Sequence, residues 1–117
     1  MSRVDKISQQ LKKAISRILL LEVKDSRIGF VTITQVRVSS DLKIAKVYYT
    51  LLEGNVKKKD AHEGLERASG YIRKLVAGRM KMRFTPEIKF YFDDTIEESI
   101  RIEKILDELK DEDRKQD

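Results

Sequence analysis

Basic side chains recur along this chain at spacings that place several of them together. In a helix, residues three and four positions apart lie on one side. One such stripe, which no acidic residue interrupts, is formed by Arg3, Lys6, Gln10, Lys13 and Arg17. Ammonium and guanidinium groups contact phosphate oxygens, which positions a protein on a nucleic acid without reading its sequence. The basic positions predicted to contact the phosphates of a nucleic acid are Arg3, Lys6, Lys13, Arg17, Arg27, Arg73, Lys74, Lys81 and Arg83.

A solvated surface is the competing interpretation for each of these cations taken singly, and their clustering is what favours binding. Arg79 falls near an apolar stripe, so packing of its stem with a solvated head is at least as well supported as a phosphate contact. The distribution of charge along the chain also favours binding over a merely solvated surface. Residues 1–92 contain 20 Lys and Arg against 9 Asp and Glu (+11), and residues 93–117 contain 5 against 11 (−6). A basic body of this strength is typical of proteins that bind polyanions.

Several classes of chemistry lack the residues they need. The 117 residues include no Cys, which excludes disulfides, Cys-based zinc sites and thiol nucleophiles and fits a cytosolic protein. No signal peptide or membrane span is expected. His62, the only His, has no evident partner in the sequence, and adjacent Asp93 and Asp94 favour a helix N-terminus over a metal site. We expect no enzyme, no cofactor, no metal and no small-molecule substrate.

The elements that position the basic residues follow from periodicity. Ser2 and Asp5 form a capping pattern ahead of a helix that runs to about Leu21. FVTITQVRVS and LKIAKVYYTLL then predict a β-hairpin with a turn at residues 39–41. Tyr48 in this hairpin and Tyr91 in a third predicted strand further along the chain, each with a flanking lysine, suggest base stacking on an outer face of the sheet, although cross-strand packing is the favoured interpretation.

A helical stripe passes through LERASGYIRKL without losing phase, although Ser and Gly are common in turns. The sequence therefore predicts one kinked helix over roughly Lys57–Met82. The apolar stripe consists of Ala61, Leu65, Ala68, Ile72 and Leu75.

After Pro86, EIKFYFDD alternates as a third strand, and an amphipathic helix containing Ile102, Leu106 and Leu109 follows. We expect the apolar face of this helix to serve the core, and residues 111–117 to form a charged, disordered tail after a domain spanning 1–110. The order, with the kinked helix counted as two, is αββααβ plus a terminal helix. This predicts an α+β fold of the type II KH class, with helices on one face of a three-stranded sheet.

Four segments in register, KDSRIG, VSSDLKIAKVYYT, LERASGYIRKL and RFTPEIKFYFDDTIEES, resemble the ribosome-binding factor A family. The resemblance covers nearly the whole chain. It implies a KH-like fold in which a helix kink at Ala68, Ser69 and Gly70 replaces the usual G-x-x-G loop. It also implies binding to the small ribosomal (30S) subunit and its 16S rRNA during late assembly, with a role in maturing the 5′ region of that RNA, often most needed in the cold.

The sequence contains no G-x-x-G, so sequence-specific clamping of single strands is not expected. We expect a monomeric, cytoplasmic, non-enzymatic assembly factor that contacts rRNA through phosphates and shape. Two other hypotheses stay open at this point: a general nucleic-acid-binding module without ribosomal specificity, and a protein-interaction domain acting through the final helix.

Overall fold

Three helices and three strands form within the part of the chain that the structure describes. The computed structural model describes residues 2–23, 25, 28, 31–52 and 57–116, with the backbone alone at 96, 97 and 113–116. In chain order the elements are α1 (Arg3–Leu21), β1 (Val31–Val38), β2 (Ile44–Leu51), α2 (Lys58–Met80), β3 (Glu87–Phe92) and α3 (Thr95–Gln116). The predicted α+β class and the predicted strands are confirmed.

The sheet has the order β1-β2-β3, with β1 antiparallel and β3 parallel to β2. The β1–β2 register shifts between Ile33 and Gln35, which marks a β-bulge at Thr34. α1 packs on β1, α2 packs on β3, and the two helices contact each other. Both therefore cover the same face of the sheet, as predicted.

Alternation along the strands and the helical period of α1 and α2 build one core between them. Ala45, Val47 and Tyr49 of the central strand are buried on the helix side, and their neighbours in the sequence point away. The helices contribute the buried residues of their apolar stripes, which are Leu11, Ile15 and Ile18 of α1 and Ala61, Leu65, Ile72 and Val76 of α2. The Ser2–Asp5 capping box at the start of α1 is also confirmed.

α2 is helical at every residue from Lys58 to Met80, so the phase of its apolar stripe is kept as predicted. The Ser69 hydroxyl donates to the carbonyl oxygen of Glu66 at 2.7 Å, which satisfies the side chain without breaking the helix. The two halves of the predicted helix-kink-helix thus form one continuous helix, and the observed order is αββαβ followed by α3. A bend at residues 68–70 stays a prediction.

α3 differs from the sequence prediction in two respects. It continues to Gln116, so the disorder predicted from Asp111 is corrected for residues 111–116. The segment has no Gly or Pro and is rich in Glu, Lys and Leu, which favour helix. In addition, Ile102, Leu106 and Leu109 are about half exposed instead of lying in the core. The helix-facing side of the sheet is already covered by α1 and α2, so it offers α3 no apolar surface.

Within the described part of the chain, no helix combines the length and apolar content that a membrane span requires.

Candidate nucleic-acid interface

A groove bounded by α1, the β1–β2 turn and the loop after α2 gathers cations from distant parts of the sequence. Its volume is about 850 Å³. We call it the main basic groove. Its charged and polar lining includes five cations, two carboxylates and an amide: Arg3, Lys43, Arg73, Lys81, Arg83, Asp41, Glu87 and Gln10. The structure thus brings together four of the nine cations predicted from the sequence, two from helices and two from the loop.

Arg73 is held in place by the loop that follows α2. Its Nε and Nη2 donate to the carbonyl oxygen of Thr85 at 3.2 and 2.8 Å. The paired contact fixes the plane of an exposed guanidinium, which has five N–H donors, so donors remain for a phosphate oxygen. Arg73 therefore serves both to position the loop and to supply charge.

An exposed aromatic ring lies among these cations. Phe84 is 76% exposed, and the Arg83 guanidinium carbon lies 5.5 Å from the centroid of its ring. A smaller groove of about 390 Å³ joins the ring to Gly70 and Lys74 of α2. Exposed aromatic rings stack on unpaired bases while neighbouring cations contact phosphates. This arrangement is suited to RNA.

Lys81 ends α2 in the left-handed conformation (φ 50°, ψ 38°), with its N–H donating to the carbonyl of Ala77. Glycine is the residue that usually occupies such a position, since a side chain there adds steric strain. A lysine at this site extends the basic surface from the end of the helix into the loop.

The remaining predicted cations lie outside the main basic groove. Lys6, Lys13 and Arg17 are exposed along the same stripe of α1, and Lys74 lines the smaller groove. Arg27 lies outside the described residues. Arg79 is paired with Glu22, at 3.1 Å between Nη2 and Oε1, so its charge is already partnered within the protein.

A second groove, between the first half of α2 and β3, contains a hydrogen-bonded chain of side chains. The buried Tyr49 hydroxyl lies 2.9 Å from Nδ1 of His62, whose Nε2 lies 2.9 Å from the Glu66 carboxylate. Burial, with a smaller contribution from Glu66, raises the pKa of Tyr49 above its ordinary value. His62 therefore has two partners, which corrects the expectation that it has none. Tyr49 and His62 lie on different elements, so periodicity could not pair them. His62 and Glu66 are four residues apart on α2, where helical spacing does bring side chains together.

Lys43 and Phe84 were not among the residues predicted to form the site. Phe84 precedes Pro86 and so lies outside the alternation of the third strand, which therefore gives no information on its exposure. The sequence does contain an indication of this part of the site. Arg83 and Phe84 directly precede Thr85 and Pro86, so a cation and an aromatic residue are adjacent outside any predicted strand.

Comparison with known proteins identifies the family. The sequence model of ribosome-binding factor A matches residues 3–106. The chain belongs to the ribosome-binding factor A family. Ribosome-binding factor A of Halothermothrix orenii is 47% identical over 110 residues, covering 94% of this chain and 90% of the relative. That of Staphylococcus carnosus is 41% identical over 107 residues, covering 92% and 93%.

Solved structures of the family share the fold. The crystal structure of ribosome-binding factor A from Thermus thermophilus has a TM-score of 0.69 and 26% identity over 76% of this chain and 93% of that one. A solution NMR structure of a putative ribosome-binding factor A from Thermotoga maritima has a TM-score of 0.62 and 29% identity over 74% and 83%. A homology model of the T. thermophilus factor, fitted into a cryo-EM map of its 30S complex, has a TM-score of 0.61 and 28% identity over 74% and 90%. The KH-like α+β fold is that of the family.

Proposed function

We propose that this protein binds the small ribosomal subunit through its 16S rRNA and acts as a non-enzymatic assembly factor, aiding late maturation of the 5′ region of the precursor rRNA. It acts as a monomer in the cytoplasm and matters most in the cold. Membership of the ribosome-binding factor A family supports this proposal, and the fitting of a T. thermophilus relative into a 30S complex adds to it.

The observation that carries the proposal is the convergence of cations on the main basic groove. Arg3 precedes Arg73, Lys81 and Arg83 by most of the chain, yet all four line one concavity. Clustered cations raise the local potential and attract a polyanion such as rRNA. Contacts to phosphates and to rRNA shape then determine position, in keeping with the absence of a G-x-x-G clamp from the sequence.

Co-sedimentation with purified 30S subunits at increasing salt tests the proposal. The test variant carries Lys81→Gln and Arg83→Gln, and the matched control carries Lys104→Gln and Lys110→Gln on α3, which remove the same charge outside the groove. We expect the test variant to bind subunits more weakly and to lower the log-log salt slope by roughly one unit per lost contact. The control should retain wild-type affinity and slope.

Specificity is tested by adding competitor RNA and DNA to the same experiment. Displacement of the protein from subunits by equal masses of unrelated nucleic acid would instead support a general nucleic-acid-binding module. Equal binding by the test and control variants would show that the main basic groove is not the rRNA contact.

A further inference from the structure

The sheet face that α1 and α2 leave uncovered has three cations in register. Arg37 of β1 pairs with Lys46 of β2, and Lys46 pairs in turn with Lys89 of β3. All three are exposed. Glu87 is the only acidic residue in the three strands, and it pairs with Ile44 instead of with a cation. We call Arg37, Lys46 and Lys89 the cationic row.

Like charges directly opposite each other on neighbouring strands destabilise a sheet. Opposed side chains on adjacent strands begin only about 5 Å apart at Cβ, and here two such pairs share the central lysine. An exposed strand face would be more stable with alternating charges at these positions. An anion bound across the row would relieve the repulsion that the fold by itself retains.

A second row, two residues along the strands, is aromatic. Tyr48 pairs with Tyr91, and their rings are stacked with centroids 5.7 Å apart and planes at 30°. This confirms the cross-strand packing favoured from the sequence. Tyr91 is nevertheless 40% exposed, and the Lys46 ammonium lies 5.9 Å from its ring centroid. The exposed part of a ring that is already held by its neighbour can stack on a base at little further cost in side-chain entropy.

We propose that this open sheet face binds a second, single-stranded segment of RNA, with phosphates on the cationic row and a base on Tyr91. The inference rests on the proposed function and adds to it a contact on the side of the sheet opposite α1 and α2. The adjacent tyrosines favour RNA over an acidic protein, because stacking on aromatic rings is how single strands are held without regard to sequence.

Binding of a short oligo-uridylate by the full chain tests this proposal. The row variant carries Arg37→Gln, Lys46→Gln and Lys89→Gln, and its matched control carries Arg101→Gln, Lys104→Gln and Lys110→Gln on α3. We expect the row variant to lose about tenfold or more in affinity and to lower the log-log salt slope by about 0.7 per contact, while its unfolding midpoint is unchanged or raised. The control should bind as the wild type does.

Substitution of Tyr91 tests the stacking contact independently of charge. We expect Tyr91→Ala to lose about tenfold in oligo-uridylate affinity and Tyr91→Phe to keep wild-type affinity, because stacking needs the ring and not the hydroxyl. Wild-type binding by the row variant, with an unchanged salt slope, would overturn the proposal. So would equal competition by poly-glutamate together with unchanged binding by Tyr91→Ala, which would assign this face to an acidic protein.

Failure of this proposal is distinguishable from failure of the proposed function. Wild-type protein that does not co-sediment with 30S subunits would refute the ribosomal role, whatever the oligonucleotide result. Loss of subunit binding by the Lys81 and Arg83 variant, together with unchanged oligonucleotide binding by the row variant, would support the ribosomal role and refute the sheet-face contact.

Discussion

Gly70 occupies the middle of α2 without any steric requirement from the fold. A Cβ built there meets no atom within 4 Å, and the backbone is not in the left-handed region. Glycine inside a helix costs about 1 kcal/mol relative to alanine. The residue lies in the smaller groove beside Arg73 and Lys74, where a missing side chain leaves room for a partner.

Gly70→Ala is therefore expected to raise the free energy of unfolding by about 0.5–1 kcal/mol and to weaken subunit binding. Gly78→Ala is the matched control, because Gly78 is also helical and unobstructed but does not line the groove. It should give a similar gain in stability with unchanged binding. Denaturant unfolding and co-sedimentation measure the two effects. A loss of stability in Gly70→Ala alone would show that a bend at this position requires glycine.

The junction between β3 and α3 depends on one carboxylate. Asp93 Oδ2 accepts a hydrogen bond from the Thr34 hydroxyl at 2.6 Å, and Oδ1 accepts from the Thr95 N–H at 3.0 Å. The Thr34 hydroxyl, followed by Thr95, lowers the pKa of Asp93 below its ordinary value. The bulge in β1 and the start of α3 are thereby connected by a single side chain.

A carboxyl group whose folded-state pKa is lowered adds stability above its unfolded-state pKa and loses it as the pH falls through the folded-state value. We expect the wild type to lose stability on acidification below about pH 4, and Thr34→Val to lose less over the same range. The pKa of Asp41 is also lowered, chiefly by the Ser39 hydroxyl. Asp41 therefore adds a loss of stability on acidification that is the same in the wild type and in Thr34→Val. Unfolding midpoints at about pH 6 and pH 3 measure the difference. Identical losses would exclude the Thr34 contact as a source of acid sensitivity.

The stripe on α1 extends the basic surface beyond the main basic groove. Lys13 and Arg17 are exposed and lie off the apolar face. Reversing both to Glu is expected to lower subunit affinity and to flatten its salt dependence, with stability changed by under about 0.5 kcal/mol per site. Lys110→Glu, on α3, is the control. A folded double variant with wild-type affinity and salt slope would restrict the rRNA surface to the groove and its loop.

At the scale of the whole molecule, α3 differs from the rest of the chain in the sign of its charge and in the exposure of its apolar side chains. The body is basic and α3 is acidic, and the apolar side chains of α3 are about half exposed. The expectation that α3 completes the core is wrong, because α1 and α2 already cover the apolar face of the sheet.

Truncation after Asp94 is therefore expected to leave the unfolding free energy nearly unchanged. It removes 9 acidic and 5 basic residues, so affinity for unrelated RNA should rise. Leu65→Ala, which truncates a fully buried side chain, is the positive control for a destabilised core and should cost about 2–5 kcal/mol. Denaturant unfolding and binding to unrelated RNA are the two measurements. Unchanged RNA affinity in the truncated protein would show that the acidic helix does not shield the body.

The sequence by itself determined the helices and strands and the inward faces of α1, α2 and the sheet, because the periods of 3.6 and 2 are properties of each local segment. It also supplied the family resemblance and most of the cations in the site. Only the tertiary structure decided which cations converge, since Arg3, Arg73 and Lys81 meet through the packing of α1 against α2 and the loop. Strand register likewise decided the cationic row, because Arg37, Lys46 and Lys89 are aligned by pairing between distant segments. Local periodicity contains no information on which cations converge or on which strand residues pair. It also cannot show that α1 and α2 already cover the apolar face of the sheet on which α3 would have packed.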